Sequence, residues 1–221
     1  MRIISSYLSS SIKYQLQYRS SSFFGALTQF IWGLLLIQLY LAFYASNPAA
    51  FPMSFPSLVA YIWLQQAFFS MVNLWSWDQN IFNSIQNGQV AYELLRPKNL
   101  YLLWFSSSFG RRVSKIVLRA PLILFASLIL PQPYRLVFPE RLDLLLLFFV
   151  SLVLGAVLCT TLTMLVYLGS FFLLDSFGIR ILYQVTGEFL MGGVIPLPFF
   201  PDAWQRVINL LPFASVSNTP Y

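Results

Sequence analysis

The ionisable residues of this 221-residue chain are few, and their positions limit the chemistry it can perform. There is no His and a single Cys, Cys159, so zinc or haem ligation, a Cys-His nucleophilic pair and an intramolecular disulfide have no raw material. Glu188 is the one carboxylate well inside an apolar stretch. An ionisable group at such a position is costly in a bilayer and marks a candidate substrate path. The competing reading puts Glu188 near the outer end of its span beside Gly192-Gly193, where a helix break admits water. Arg111, Lys115 and Arg119 fall at i, i+4 and i+8 and so share one helix face. A basic stripe at the membrane entrance can snorkel to lipid phosphates, guide an anionic substrate or contact a partner protein. Asp175 and Arg180 solvate a short cytosolic turn. Cys159 reads as plain packing, and Gln65, Gln66 and Asn73 as interhelical hydrogen-bond glue worth about 1 kcal/mol each.

The elements that position these residues follow from composition. The chain is 58% hydrophobic and 9% charged, where soluble domains carry roughly 25% charged residues. It belongs in a bilayer, and its apolar runs form a row with short connections, which argues for one polytopic all-α domain over 1–221. Phe23 to Tyr44 is 22 residues without a charge, enough to cross a hydrocarbon core. Further spans are read at about 57–77, 111–130, 144–167 and 177–197. The third reaches spanning length only by including the turn from Arg111, so its cytosolic end is charged.

Orientation follows from the basic residues, which are retained on the cytosolic side. With the N-terminus inside, ten of the thirteen Lys and Arg are cytosolic and only Arg135, Arg141 and Arg206 lie outside. The expected location is therefore a cell membrane, of the bacterial inner-membrane type, with several passes and a cytosolic N-terminus. Within residues 1–20, Ile3, Ile4, Tyr7, Leu8 and Ile12 recur at helical spacing opposite Arg2, Ser5, Ser6, Ser9 and Lys13. That pattern predicts an amphipathic helix on the inner leaflet, either a lipid anchor or a lever beside a cytosolic partner.

Asp78 to Arg119 gathers the polar surface available to the cytosol. Gln79 to Gln86 has helical composition, Gly88 stands where a left-handed C-terminus is expected, and a second short helix runs from Val90 until Pro97 stops it. Val90, Leu94 and Leu95 are placed on one side of it and Glu93 away from them. The two pieces form either a compact docking knob or an ordinary inter-span loop. Beyond the fifth span, Gly192 to Pro201, Trp204 to Leu211 and Leu211-Pro-Phe213 stay apolar while repeated prolines prevent one continuous helix. A bent or re-entrant element near the outer surface is expected.

This arrangement resembles the ABC-2 type transport permeases, the membrane subunits of ATP-binding cassette exporters, and is most similar to their small stand-alone group. The resemblance runs over nearly the whole chain, through the N-terminal helix, the Gly88-to-Pro97 run ending Leu-Leu-Arg-Pro, and the Pro196-Leu-Pro, Phe200-Pro and Leu211-Pro-Phe213 cluster. It implies a coupling helix between spans two and three, seated on a separate ATPase through Asn83, Gly88, Val90, Leu94, Leu95, Arg96 and Pro97. It implies a second permease, as a homodimer or heterodimer, around the substrate path. Pro196, Pro198, Pro201, Pro212 and Phe213 would then belong to the outer gate. The family's sixth span is absent, with Tyr221 falling where its linker would be, so the sequence is either truncated or an unusual subunit.

The expected function is an exporter's permease subunit, not an enzyme. No Gly-x-x-x-x-Gly-Lys-Ser/Thr loop occurs, so ATP and Mg are assigned to the partner and no cofactor to this chain. Membrane lipids are expected as partners and nucleic acid is not. An apolar, aromatic-rich lining would suit a lipid, drug or hydrophobic peptide. The alternatives are a secondary transporter or channel component, which would more often carry paired or ringed ionisable groups, and an intramembrane enzyme, which needs clustered acids, bases or ligands.

Overall fold

The computed structural model describes residues 5, 6, 9, 10, 13, 14, 17, 19–46, 53–97, 99–137, 142–173, 175–193 and 195–217. Nine α-helices are delimited among them: α1 (Arg19–Ser46), α2 (Phe55–Val72), α3 (Gln79–Gln86), α4 (Val90–Leu94), α5 (Leu100–Ile129), α6 (Leu142–Gly169), α7 (Phe177–Leu190), α8 (Asp202–Asn209) and α9 (Ala214–Ser217). No strand occurs among the described residues. The apolar residues of the expected N-terminal amphipathic helix lie outside them; Ser5, Ser6, Ser9, Ser10, Lys13, Tyr14 and Gln17 are helical and exposed.

Three helical segments are long and apolar enough to cross a membrane: Ser20–Ser46, Phe55–Val72 and Leu145–Phe172. The second is the centre of the packing, with 67% of its residues buried against 22% for the first. It is apolar on every side, as a helix surrounded by other helices must be. Its start is fixed by Ser54, whose side chain accepts from the Ser57 amide, and by Pro56 in the first turn, where a missing N–H costs nothing. Trp63 is fully buried, stacks on Phe30 of α1 at 5.1 Å and donates through Nε1 to the Tyr134 carbonyl at 2.8 Å. Ile37, Leu58, Ile62, Ile123, Leu152 and Ala156 complete a core shared by α1, α2, α5 and α6.

Three boundaries differ from the sequence-based expectation, each for a physical reason. α2 stops at Val72 rather than near Trp77, because Asn73 takes extended geometry (φ −63°, ψ 143°) and donors on neighbouring helices take the freed carbonyls. α5 is one 30-residue helix that begins at Leu100, where Asn99 caps it by accepting from the Leu102 amide at 3.0 Å. The basic residues thus sit mid-helix. α7 is 14 residues long and ends at Leu190, well before residue 197, since Gly192 at φ 79° turns the chain out of the helix.

After that turn the chain doubles back. A 3-10 turn at Leu197–Phe199 and α8 lead to α9, whose Val216 and Ser217 are fully buried. The Val216 carbonyl oxygen lies 2.6 Å from where a Cβ on Gly155 would be, halfway along α6. The bent element therefore reaches the middle of a long apolar helix.

Candidate functional site: a helical knob above a buried polar cluster

The residues between α2 and α5 fold as two short helices around a left-handed glycine. Asp78 starts α3 by accepting from the Asn80 amide at 3.0 Å, and Gly88 at φ 71° separates α3 from α4. Beneath the knob, Ile81, Phe82, Ser84 and Val90 are buried, with the Phe82 ring 4.9 Å from that of Tyr167 on α6. Above it, Asn83, Gly88, Arg96 and Pro97 are exposed, and so are Tyr92 (73%), Leu94 (63%) and Leu95 (82%). The expected ATPase-contact residues are exposed except for Val90, which is buried.

Glu93 corrects the sequence-based assignment of faces. It turns inward, accepting from Ser84 Oγ at 3.2 Å and from Trp104 Nε1 at 3.0 Å, while Leu94 and Leu95 face out. The carboxylate binds α4 to α3 and to the first turns of α5. A five-residue helix is too short to hold by its own hydrogen bonds, so these ties keep it in place.

Other ties bind the knob to the long helices. Asp78 pairs with Arg111 of α5 at 2.5 Å, and its amide donates to the Tyr167 hydroxyl of α6 at 2.7 Å. Arg180 of α7 donates to Gln79 Oε1 at 3.0 Å and lies over the Phe82 ring at 4.7 Å. A cation above a ring edge-packed on α6 ties α7 into the same assembly. The knob thus touches α5, α6 and α7, so a displacement of it strains all three.

The basic stripe turns toward protein. Arg111 has its Asp78 partner, Lys115 donates to Ser76 Oγ at 3.2 Å, and the Arg119 guanidinium lies over Gly25 of α1. Arg112, which sequence reasoning passed over, is fully buried and holds the broken end of α2. Cys159 joins it, its thiol directed at the Val72 carbonyl at 3.4 Å, so this residue caps as well as packs. Gln65 and Gln66 are buried on α2, as their expected role between helices requires.

Glu188 accepts a hydrogen bond from Trp75 Nε1, while its backbone carbonyl receives the Gly193 amide at 2.9 Å. It therefore lies beside the Gly192-Gly193 break and also against the unwound segment after α2. The proline cluster forms a separate group. Pro196 precedes the 3-10 turn, the Pro198 carbonyl accepts from Gln205 at 3.4 Å, and Pro201 leads into α8. Pro212 directs Phe213 back toward Tyr183, 6.1 Å away between ring centres. No group of three or more potential metal ligands occurs among the described residues.

A signal for Arg112 exists in the sequence: it lies one position from the stripe, amid Ser106, Ser108 and Ser114, which are all buried on the same helix. Small polar residues around a cation indicate an interior face. No such signal exists for Trp75 or Tyr167, whose roles depend on where α2 breaks.

No curated protein and no solved structure matches the chain. The family model described as "ABC-2 family transporter protein" matches residues 30–221, most of the chain and every element from α2 onward. The chain belongs to the ABC-2 family of transporter proteins, and its long apolar helices place it in a membrane.

Proposed function

We propose that the protein is the permease subunit of an ATP-driven exporter, docking through α3 and α4 onto a separate ATPase that binds ATP and Mg. The observation that carries this reading is the exposed trio Tyr92, Leu94 and Leu95 on a knob fastened to α5, α6 and α7. Large apolar side chains presented on such a short helix fit a protein groove, where aromatic and aliphatic anchors dominate binding. Asn83, Gly88, Arg96 and Pro97 rim that surface.

In this reading the N-terminus is cytosolic, as the distribution of basic residues favours, and the membrane is a cell membrane. Five membrane elements are assigned, α5 and α7 joining the three long apolar helices. α7, which ends at Leu190, is the fifth element, and the segment from Leu197 to Ser217 forms a re-entrant element on the outer side. A second permease completes the substrate path. Closure of the ATPases displaces the knob, which pulls on Arg111, Tyr167 and Arg180 and so moves three helices together. The chain itself is not an enzyme.

Replacing Leu94 and Leu95 with Asp tests the reading. Co-purification with the ATPase is lost while membrane insertion and helix content stay intact; undiminished co-purification refutes the docking assignment. A secondary transporter would instead show ion-gradient-driven transport in vesicles without ATP.

A further inference from the structure

We propose that Arg119 and Gly25 form a phosphate-binding groove between α1 and α5, on the cytosolic side of the protein. The inference rests on the membrane location and the N-inside orientation, not on ATP-driven transport.

Four cations, Arg111, Arg112, Lys115 and Arg119, lie within nine consecutive positions of α5. Of these, Arg111 is paired with Asp78 at 2.5 Å, and Arg112 is occupied by the Met71 and Asn73 carbonyls and Thr163. Lys115 has only the neutral hydroxyl of Ser76, at 3.2 Å. Arg119 makes no hydrogen bond or ion pair among the described residues, and its Nε is buried. A guanidinium has five donors, no acceptor and no accessible neutral form, so it calls for an acceptor beyond the described residues.

The geometry leaves a place for that partner. The Arg119 Cζ and Nη2 lie 2.5 and 2.6 Å from where a Cβ on Gly25 would be, so the guanidinium rests directly on the α1 backbone. One edge is sealed there, yet the residue as a whole is only partly buried. Nη1 is the guanidinium nitrogen not pressed on Gly25, and its N–H groups can donate to a phosphate oxyanion in a charge-assisted hydrogen bond. Gly25 is six residues into α1, about 9 Å from its start at Arg19. With the N-terminus inside, this side chain reaches back toward headgroup depth, as long cationic side chains do. Lys115, one turn earlier on the same face, adds a second positive charge. The shared ligand chemistry is a phosphate group, carried by an anionic lipid of the inner leaflet or by a free phosphate.

The test uses the full chain in mixed micelles, with bound lipid read by native mass spectrometry. Wild type is expected to retain phosphatidylglycerol over phosphatidylcholine by about fivefold, the scale of one interfacial cation. Arg119→Gln removes that preference, Gly25→Val weakens it by displacing the guanidinium, and Arg119→Lys keeps part of it. Inorganic phosphate is the second probe: competition with the lipid assigns a free phosphate as occupant, and resistance assigns the headgroup. Helix content and gel filtration confirm folding of each variant. The groove is refuted if wild type shows neither lipid preference nor phosphate binding. It is equally refuted if the preference survives unchanged in both Arg119→Gln and Gly25→Val.

Discussion

Arg112 places its Nη1 2.5 Å from the carbonyl oxygen of Asn73, the residue at which α2 leaves helical geometry. The last carbonyls of a helix lack intrahelical partners and carry the negative end of its dipole. A buried guanidinium meets both needs, and its Nη2 reaches Thr163 of α6 at 3.1 Å. One side chain therefore joins the end of α2 to α5 and α6.

Arg112→Met keeps the apolar stem but removes the guanidinium donors from this junction, leaving only the weak Cys159 thiol. Each stranded buried acceptor costs roughly 1–3 kcal/mol. The expected outcome is a clearly lowered melting temperature in detergent. Arg112→Lys recovers only part of the loss, since an ammonium cannot span the same carbonyls. Unchanged melting in Arg112→Met would show that the junction contributes nothing to stability.

Glu93 holds α4 to α3 and α5, so its loss should loosen the knob without disturbing the bundle. Charge-assisted hydrogen bonds contribute about 1.5–3 kcal/mol when buried, and Glu93 is only partly so, which puts the expectation near the low end. Glu93→Ala should raise amide exchange across 79–95 by roughly tenfold, with α2 and α6 unaffected. Exchange at wild-type rates would place the strength of the knob elsewhere, in Phe82 and Val90.

Asp78 has two separable roles, capping α3 and pairing with Arg111. Asp78→Asn keeps a capping oxygen and loses the charge; Asp78→Ala loses both. With both partners only partly exposed, a double-mutant cycle of Asp78→Asn with Arg111→Gln should give a coupling of about 1 kcal/mol that shrinks as salt rises. Asp78→Ala should cost about 1 kcal/mol more than Asp78→Asn. Additive single mutants would mean that the pair is structurally incidental.

The knob was legible in the sequence because its punctuation is local. Gly88 and Pro97 act on their own backbone neighbours, and both helices appear where those residues put them. Membrane character was equally legible, since α1, α2 and α6 are long uninterrupted apolar runs. The end of α2 was not, because nothing between Val72 and Asp78 forbids helix; donors from α5 and α6, remote in sequence, take its carbonyls. Glu93 was misassigned for a related reason. Periodicity weighs a carboxylate as outward-facing, and only the approach of Trp104 and Ser84 provides it with inward partners. The stripe of Arg111, Lys115 and Arg119 lies along one helix, while the groups it meets lie on two other segments, Asp78 and Ser76 after α2 and Gly25 on α1.

Gly155 provides a test of the doubled-back segment. The Val216 carbonyl approaches α6 where no side chain stands, so any larger residue there must displace α9. Ser217 is fully buried against this region. In a Cys159→Ser background, which keeps a hydroxyl for the Val72 carbonyl, a cysteine introduced at Ser217 should react slowly with a water-soluble maleimide. Adding Gly155→Leu should accelerate that reaction by roughly tenfold or more, since the overpacking cost of about 1–3 kcal/mol falls on a four-residue helix that can detach. The knob is far from this change in sequence, so retention of the proposed ATPase partner should be unaffected. Equal reactivity with and without Gly155→Leu would mean that Ala214–Ser217 does not rest on α6 in the membrane.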